Sequence, residues 1–341
     1  MHSLLLGNGV NRAALQKDWT QLLRELAVQF DAEELIHHLG SKPLSMFIEE
    51  LCARSTGVFR HTEHAVKVAF AKLLEQITPI EAHRRVCDPF KVILTTNYDF
   101  TIEEAFVGPL YNPSFLYPES RYSLFRRYQA GAKDIWHIHG DSARPSSMVL
   151  GYDQYAGSLQ KIRNYVTEGV QIKTLNHRIS SPVKNGMIEF ETNRRFYSWV
   201  DHFLRDHLHI VGLGMDFTEI DIWWLLLHKR RRTNQTGKVF YYQAGLTPSE
   251  DTAVTSLMRS LNVEVIHVIA DSYTECYLRI ADEIEGRIKA YPELLSLPEK
   301  YIEQNSYKTL NLPSSKTTQR SFRFPAFSNN PPLSRKGKHA N

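Results

Sequence analysis

Thr95-Thr96-Asn97-Tyr98-Asp99 and His137-Ile138-His139-Gly140-Asp141 are the segments whose side chains could do chemistry. Each follows an apolar, strand-like run, Val92-Ile93-Leu94 and Ile135-Trp136, so each is expected to present polar groups at the carboxyl end of a sheet. Open α/β folds bind ligands there. Asn97 is the telling residue of the first segment. Its amide both donates and accepts, so it can hold a sugar hydroxyl or orient a water without adding charge beside a developing cation. Asp99 has a simpler reading as the cap of a following helix. In the second segment, His137 and His139 are predicted to point to one side of a strand, with Gly140 leaving room for a ligand. A histidine at a strand end is more often a hydrogen-bonding group than a catalyst, so one of the two is expected to be structural.

His137-x-His139-x-Asp141 also opens like a metal-ligating motif of hydrolases. Ser142 stands where a further ligand would follow, and the early, strand-rich context of such hydrolases is missing. No metal is expected.

Gly7-Asn8-Gly9 lies between an apolar strand at Ser3 to Leu6 and a helical pattern. Such a turn lets backbone approach a ligand, and the helix start offers unpaired N–H groups to a phosphate. Gly212 and Gly214 follow the strongest strand, His207 to Val211, in Gly212-Leu213-Gly214-Met215-Asp216. Thr218 and Asp221 then read as a capping box for the next helix. Two glycine turns in one sheet are more informative than either alone.

These segments need a scaffold. Apolar spacing predicts a helix from Arg12 to Phe30 and further helices at Leu44 to Cys52 and Glu63 to Ile77. Helical chain from about residue 12 to about 88 is therefore inserted between the first strand and the next, Lys91 to Thr96. A short helix at Phe100 to Phe106, an irregular aromatic stretch from Asn112 to Tyr128, and a strand and turn at Met148 to Asp153 follow. A weakly patterned second insertion is expected at about 156–194. Helices at Arg195 to Asp206, Glu219 to Arg230, Ser249 to Leu261 and Ser272 to Ala290 then alternate with strands at His207, Lys238 and Glu264. Alternating strands and helices indicate a doubly wound, Rossmann-like parallel α/β sheet. Residues 1–290 are read as one domain. Residues 291–341 form an extension that is basic and, from about 306, expected to be disordered.

Bulk composition narrows the function. The 341 residues carry 41 basic and 37 acidic side chains, too even a balance to indicate direct nucleic-acid binding. Cys52, Cys87 and Cys276 are far apart and odd in number, which suits a reducing cytoplasm better than a disulfide framework. The longest apolar run, Ile222 to Leu227, is too short to span a bilayer. A cytoplasmic protein with no membrane segment is expected.

The order of Gly-x-Gly turn, Thr-x-Asn-x-Asp loop, His-Gly and Gly-x-Gly-x-Asp resembles the nicotinamide-dinucleotide domain of the sirtuins, from about Leu4 to Val268. More narrowly, Leu150-Gly151-Tyr152-Asp153-Gln154-Tyr155 and the Gly-x-Gly-Met-Asp-Phe turn before a Trp-rich helix are similar to sirtuin-like NAD-hydrolysing effectors of bacterial antiphage systems. The resemblance implies Asn97 and His139 as the catalytic pair, with Gly7, Asn8, Gly9, Thr96, Asp99, Gly212, Gly214 and Asp216 around NAD. Sirtuin deacylases add a four-cysteine zinc module and a Gly-Ile-Pro-Asp-Phe-Arg-like stretch after the first glycines, and this chain has neither. The implied activity is an NAD+ glycohydrolase releasing nicotinamide and a linear or cyclic ADP-ribose, with water as the acceptor in the linear case. Such an enzyme is implied to be held off until a signal arrives, under control by self-assembly into a homo-oligomer or by a separately encoded sensor protein. An NAD or ADP-ribose sensor without turnover, and an ADP-ribosyl transferase, are the competing expectations.

Overall fold

The computed structural model describes residues 1–292 apart from 16–18, 55–58, 76, 110–120, 170, 174–177, 181–182, 185–186, 189–197, 232–235 and 249–250. The C-terminal extension from 293 and most of the aromatic stretch after Asn112 therefore lie outside the described residues.

Strand β1 (His2–Leu6) leads into α1 (Gly9–Leu15), α2 (Trp19–Gln29), a 3-10 segment (Glu33–Ser41), α3 (Leu44–Arg54), α4 (Phe59–Leu74) and α5 (Glu81–Cys87) before β2 (Val92–Thr95). Then come α6 (Thr101–Val107), β3 (Tyr128–Ala130), β4 (Lys133–His137) and α7 (Tyr152–Glu168). Strands β5 (Gln171–Lys173) and β6 (Arg178–Ser180) pair with each other, as do β7 (Val183–Lys184) and β8 (Met187–Ile188). The chain closes with α8 (Trp199–Arg205), β9 (His207–Val211), α9 (Ile220–Arg230), β10 (Val239–Gly245), α10 (Ala253–Ser260), β11 (Val263–Ile269) and α11 (Tyr273–Ala290).

The main sheet has seven strands in the order β11-β10-β9-β1-β2-β4-β3, parallel except for β3 against β4. Its central strand, β1, is buried along its whole length, as expected where helices cover both faces of a parallel sheet. Strand alternation sorts the core into two layers. Leu5, Val92, Leu94, Trp136, Leu208 and Ile210 pack with α7, α8 and α9 on one face. Leu4, Leu6, Ile93, Ile135 and Val211 pack with α5, α6 and α11 on the other. The doubly wound α/β architecture expected from the sequence is the one that forms.

Strand order reverses between β1 and β9, so the chain leaves these neighbours in opposite directions and a crevice opens at their carboxyl ends. The two glycine turns meet there. Gly7 N–H donates to Val211 O at 2.9 Å and Gly9 N–H to Gly212 O at 2.7 Å. A Cβ on Gly7 would stand 2.6 Å from Gly212 O, one on Gly9 2.8 Å from Gly212 Cα, and Gly212 itself has φ +65°. These glycines let the turns touch. Gly214 is different, with nothing within 4 Å of a Cβ built on it.

Helices α2, α3 and α4 bury their own apolar faces, including Leu22, Leu26, Phe47, Leu51, Val66 and Phe70, against Tyr98, Met148 and Leu150 of the sheet-end loops. The inserted helices are thereby seated on the segments that carry the polar groups.

Local readings differ in several places. Within the helix expected from Arg12 to Phe30, α1 and α2 stand on either side of residues 16–18, which lie outside the described residues. Met148 to Leu150 is not a strand; Val149 N–H donates to His139 O at 2.8 Å and the chain then enters α7. That helix occupies part of the region read as weakly patterned because its buried face includes the polar residues Gln154 and Ser158 beside Ile162, Tyr165 and Val166.

The turn contact predicts opposite outcomes for two glycines. Gly7→Ala should cost about 1–3 kcal/mol through forced backbone movement, whereas Gly214→Ala should stay within about 0.5 kcal/mol of the parent. Urea denaturation of the two variants measures the difference.

Candidate active site

Asn97 and His139 each lie two residues beyond a cross-strand pair, since β2 and β4 align Thr95 with His137. Ile138 N–H donates to Thr95 O at 2.9 Å and continues the pairing one step past the strands. The register thus brings the Thr-x-Asn-x-Asp loop and the His-Gly segment side by side.

The two histidines do not share a direction. Strand β4 ends at His137, so alternation no longer governs His139. His137 turns to α6, its Nε2 2.8 Å from Glu103 Oε1 and its Nδ1 2.7 Å from Asn97 O. A carbonyl only accepts, so Nδ1–H donates and fixes the backbone of Asn97. Burial alone would lower the His137 pKa, but the charge and hydrogen bond of Glu103 outweigh it and raise it to about 9. Asp141 goes elsewhere again, accepting from Tyr128 Oη at 2.8 Å with Arg126 Nη2 at 3.2 Å. The His-x-His-x-Asp residues therefore do not assemble into one cluster.

His139 turns to the opposite face and to α9. Its Nε2 is 3.0 Å from Asp221 Oδ2, which also accepts from Ser158 Oγ at 2.9 Å, while Asp221 Oδ1 accepts from Ile222 N–H at 2.9 Å. Asp221 sits in the first turn of α9, where the helix favours negative charge. It is not the capping partner of Thr218; the N-cap is Glu219, which makes no side-chain capping bond. Burial would lower the His139 pKa and raise that of Asp221, but the pair's mutual charge and hydrogen bond reverse both shifts. With Nε2–H given to Asp221, the neutral imidazole keeps its lone pair on Nδ1. Glu219 Oε2 lies 3.9 Å from that nitrogen.

His139 is in the wall of a cavity of about 320 Å³ at the switch point, within the range of small-ligand pockets. Asn8, Gly9, Gly212, Gly214 and Asp216 line it from the two turns, with Thr96 from the β2 loop. Arg12 of α1 brings a guanidinium, stacked 4.9 Å over the Tyr273 ring. Trp19, Leu23, Leu44 and Ile48 of the inserted helices supply an apolar side. Tyr155 completes it, its ring 5.2 Å from that of His139. The Leu150 to Tyr155 motif sets Tyr155 there, because Gln154 Oε1 accepts from Leu150 and Gly151 N–H and starts α7.

Other residues singled out in the sequence stand behind this wall. Asn97 is buried, its Nδ2 3.4 Å from Gly7 O, while its neighbours Thr96 and Tyr98 line the cavity. Asp99 accepts from Thr101 N–H at 3.1 Å, as a helix-starting residue does, and from Asn11 Nδ2 at 2.7 Å. Asn11 Oδ1 in turn receives His83 Nε2–H at 2.9 Å. Gly140 leaves no room for a ligand, since at φ +92° its Cβ would stand 2.5 Å from Ser147 C. Asp221, Glu219, Ser158 and Arg12 were not singled out as site residues. A single buried acid in the otherwise apolar Ile220 to Leu227 run was the available signal for Asp221.

His139, Glu219 and Asp221 also bring atoms within 4.8 Å of one another, a spacing open to a metal ion. Two of those groups, His139 Nε2 and Asp221 Oδ2, are already hydrogen-bonded together.

Two titrations check this electrostatic account. The raised His137 pKa contributes stability that is fully present below about pH 6.5 and lost as pH rises through about 9, on the order of 3 kcal/mol. His137→Gln should therefore flatten the fall in urea stability across that window. Asp221→Asn should lower the His139 pKa, read from its ring resonances by NMR; an unchanged value would remove Asp221 as the cause.

Residues 91–266 match the family model described as the SIR2-like domain. No curated protein matches the chain. The matched span starts beside β2 and ends in β11, so it holds the β2 and β4 loops, the Gly212 turn and Asp221, and leaves the Gly7 turn and the inserted helices outside it. Sheet order, crevice and matched span agree, and the chain belongs to the SIR2-like domain family.

Proposed function

We propose that this crevice hydrolyses NAD+ at the nicotinamide–ribose bond, giving nicotinamide and ADP-ribose. The reading rests above all on the Ser158–Asp221–His139 relay, which ends in an imidazole in the cavity wall. SIR2-like domains bind NAD, and the surroundings fit such a molecule: backbone-lined turns and Arg12 for the pyrophosphate, polar groups for a ribose, and an apolar, aromatic side for a ring.

Water is the proposed acceptor. The cysteines that a peptide-shaping zinc module would need are instead buried singly in α3, α5 and α11. In the reaction the C1′–N bond breaks with its electron pair passing to the pyridinium nitrogen, so neutral nicotinamide leaves. Water oxygen bonds to C1′, its proton passes to His139 Nδ1, and from there to solvent. Asp221 holds the imidazole in the tautomer that accepts on Nδ1, and general-base catalysis of this kind contributes about 10²–10⁴-fold. Asn97 holds a ribose hydroxyl or the water once its amide leaves the long contact to Gly7 O. NAD depletion in antiphage defence, under control of a homo-oligomer or a separate sensor protein, is the biological role the family resemblance supports. Binding without turnover is the second reading, favoured by the position of Asn97 behind the cavity wall.

Nicotinamide release from NAD+, followed with the purified full chain alone and with the products of adjacent genes, separates the readings. Turnover is expected, with His139→Ala and Asn97→Ala each lowering it by about 10²-fold or more. Saturable NAD+ binding with no nicotinamide under any of these conditions would reject the enzyme. Label retained on a macromolecule would instead identify a transferase.

A further inference from the structure

Glu219 is the least explained group in the cavity wall. Its backbone begins α9, with N–H donating to Asp216 O at 3.0 Å, but its side chain caps nothing. The side chain is 17% exposed, and its Oε2 is buried with no hydrogen-bond partner among the described residues. Asp221, two residues on, has both oxygens engaged. A buried carboxylate oxygen left without a hydrogen bond is costly.

What Oε2 faces is His139 Nδ1, 3.9 Å away. That span is too long for a direct hydrogen bond and short enough for a single water to bridge the two atoms at about 2.8 Å once side-chain movement on substrate binding makes room for it, because Oε2 itself is buried. One water held this way would have the lone pair of Nδ1 on one hydrogen and the carboxylate on the other. Cleaving a glycosidic bond also builds positive charge on the sugar carbon and ring oxygen, and a carboxylate beside that charge stabilises it.

On the basis of the glycohydrolase reading, we infer that Glu219 is a further catalytic residue: it holds the attacking water against His139 and places its negative charge beside the ribose. The proton balance is that of the reaction above, with His139 taking the proton and Glu219 remaining a carboxylate. Burial raises the Glu219 pKa to about 7; the His139 charge opposes this, while Asp221 and Asp216 add to it. The carboxylate form therefore gains population as pH rises through 7, and the positive pyridinium of a bound substrate favours it further.

Steady-state kinetics of the full chain with NAD+, alongside ADP-ribose binding by calorimetry, test the assignment. Glu219→Gln keeps the shape and removes the charge. It should lower kcat by about 100-fold or more while leaving the Kd for ADP-ribose, which lacks the leaving group, within about threefold. Glu219→Ala opens a space beside His139, and added formate should recover activity at least about tenfold. A Glu219→Gln protein with parental kcat would overturn the inference and leave the glycohydrolase reading standing. So would activity abolished by EDTA and restored by magnesium, manganese or zinc, because Glu219 would then be a metal ligand with His139 and Asp221. Parent protein that binds NAD+ and never releases nicotinamide would overturn both. If Glu219→Gln fails to fold, the Ala variant decides: formate rescue supports the assignment, and a folded variant with parental activity and no formate response rejects it.

Discussion

Backbone touching backbone at the switch point is the constraint on which this architecture depends. Gly9 N–H meets Gly212 O directly, and no side chain fits between the turns that follow β1 and β9. The contact joins strands far apart in sequence at the point where the sheet changes direction. It also makes the floor of the crevice from main chain, a polar surface that does not move with rotamers. Everything added around it, from Arg12 on one side to Asp216 on the other, is positioned relative to that floor.

Above the floor, buried imidazole–carboxylate pairs set the walls from opposite faces of the sheet. Glu103 and His137 reach Asn97 through its carbonyl, and Asp221 reaches His139 through its ring. A buried pair of this kind is strong only when its remaining hydrogen-bonding groups are met. Ser158 and Ile222 N–H meet those of Asp221. Lys229 anchors the other end of the same helix, donating to the carbonyls of Phe203, Leu204 and Asp206 at the end of α8. The orientation of His139 is thus inherited from packing well away from the cavity.

Periodicity was enough for the parallel strands of the sheet, while the antiparallel edge strand β3 was not read from it. Strand runs such as Val92 to Leu94 and His207 to Val211, with helices between them, specify parallel order because both faces are buried and the runs are mainly apolar. The Asn97 and His139 segments were legible because they directly follow such runs. Asp221 was misread, since an acid in the first turn of a helix has a local explanation that hides a distant one. The direction of His139 was misread because alternation holds only as far as β4, and Gly140 took its glycine from a tight contact with Ser147 that leaves no trace in the spacing. Helix α7 was underestimated because Ser158, a residue that weakens an apolar pattern, is buried to serve Asp221.

The crevice is built from two sorts of material. Its chemistry hangs from the sheet, but Trp19, Leu23, Leu44 and Ile48 come from inserted helices that pack chiefly on one another and on loop residues. Glu49 of α3 accepts from Asp153 N–H and Glu63 of α4 from Gln154 Nε2, so the insertion is tied to the start of α7, the helix whose Ser158 bonds Asp221, and its position is felt through to His139.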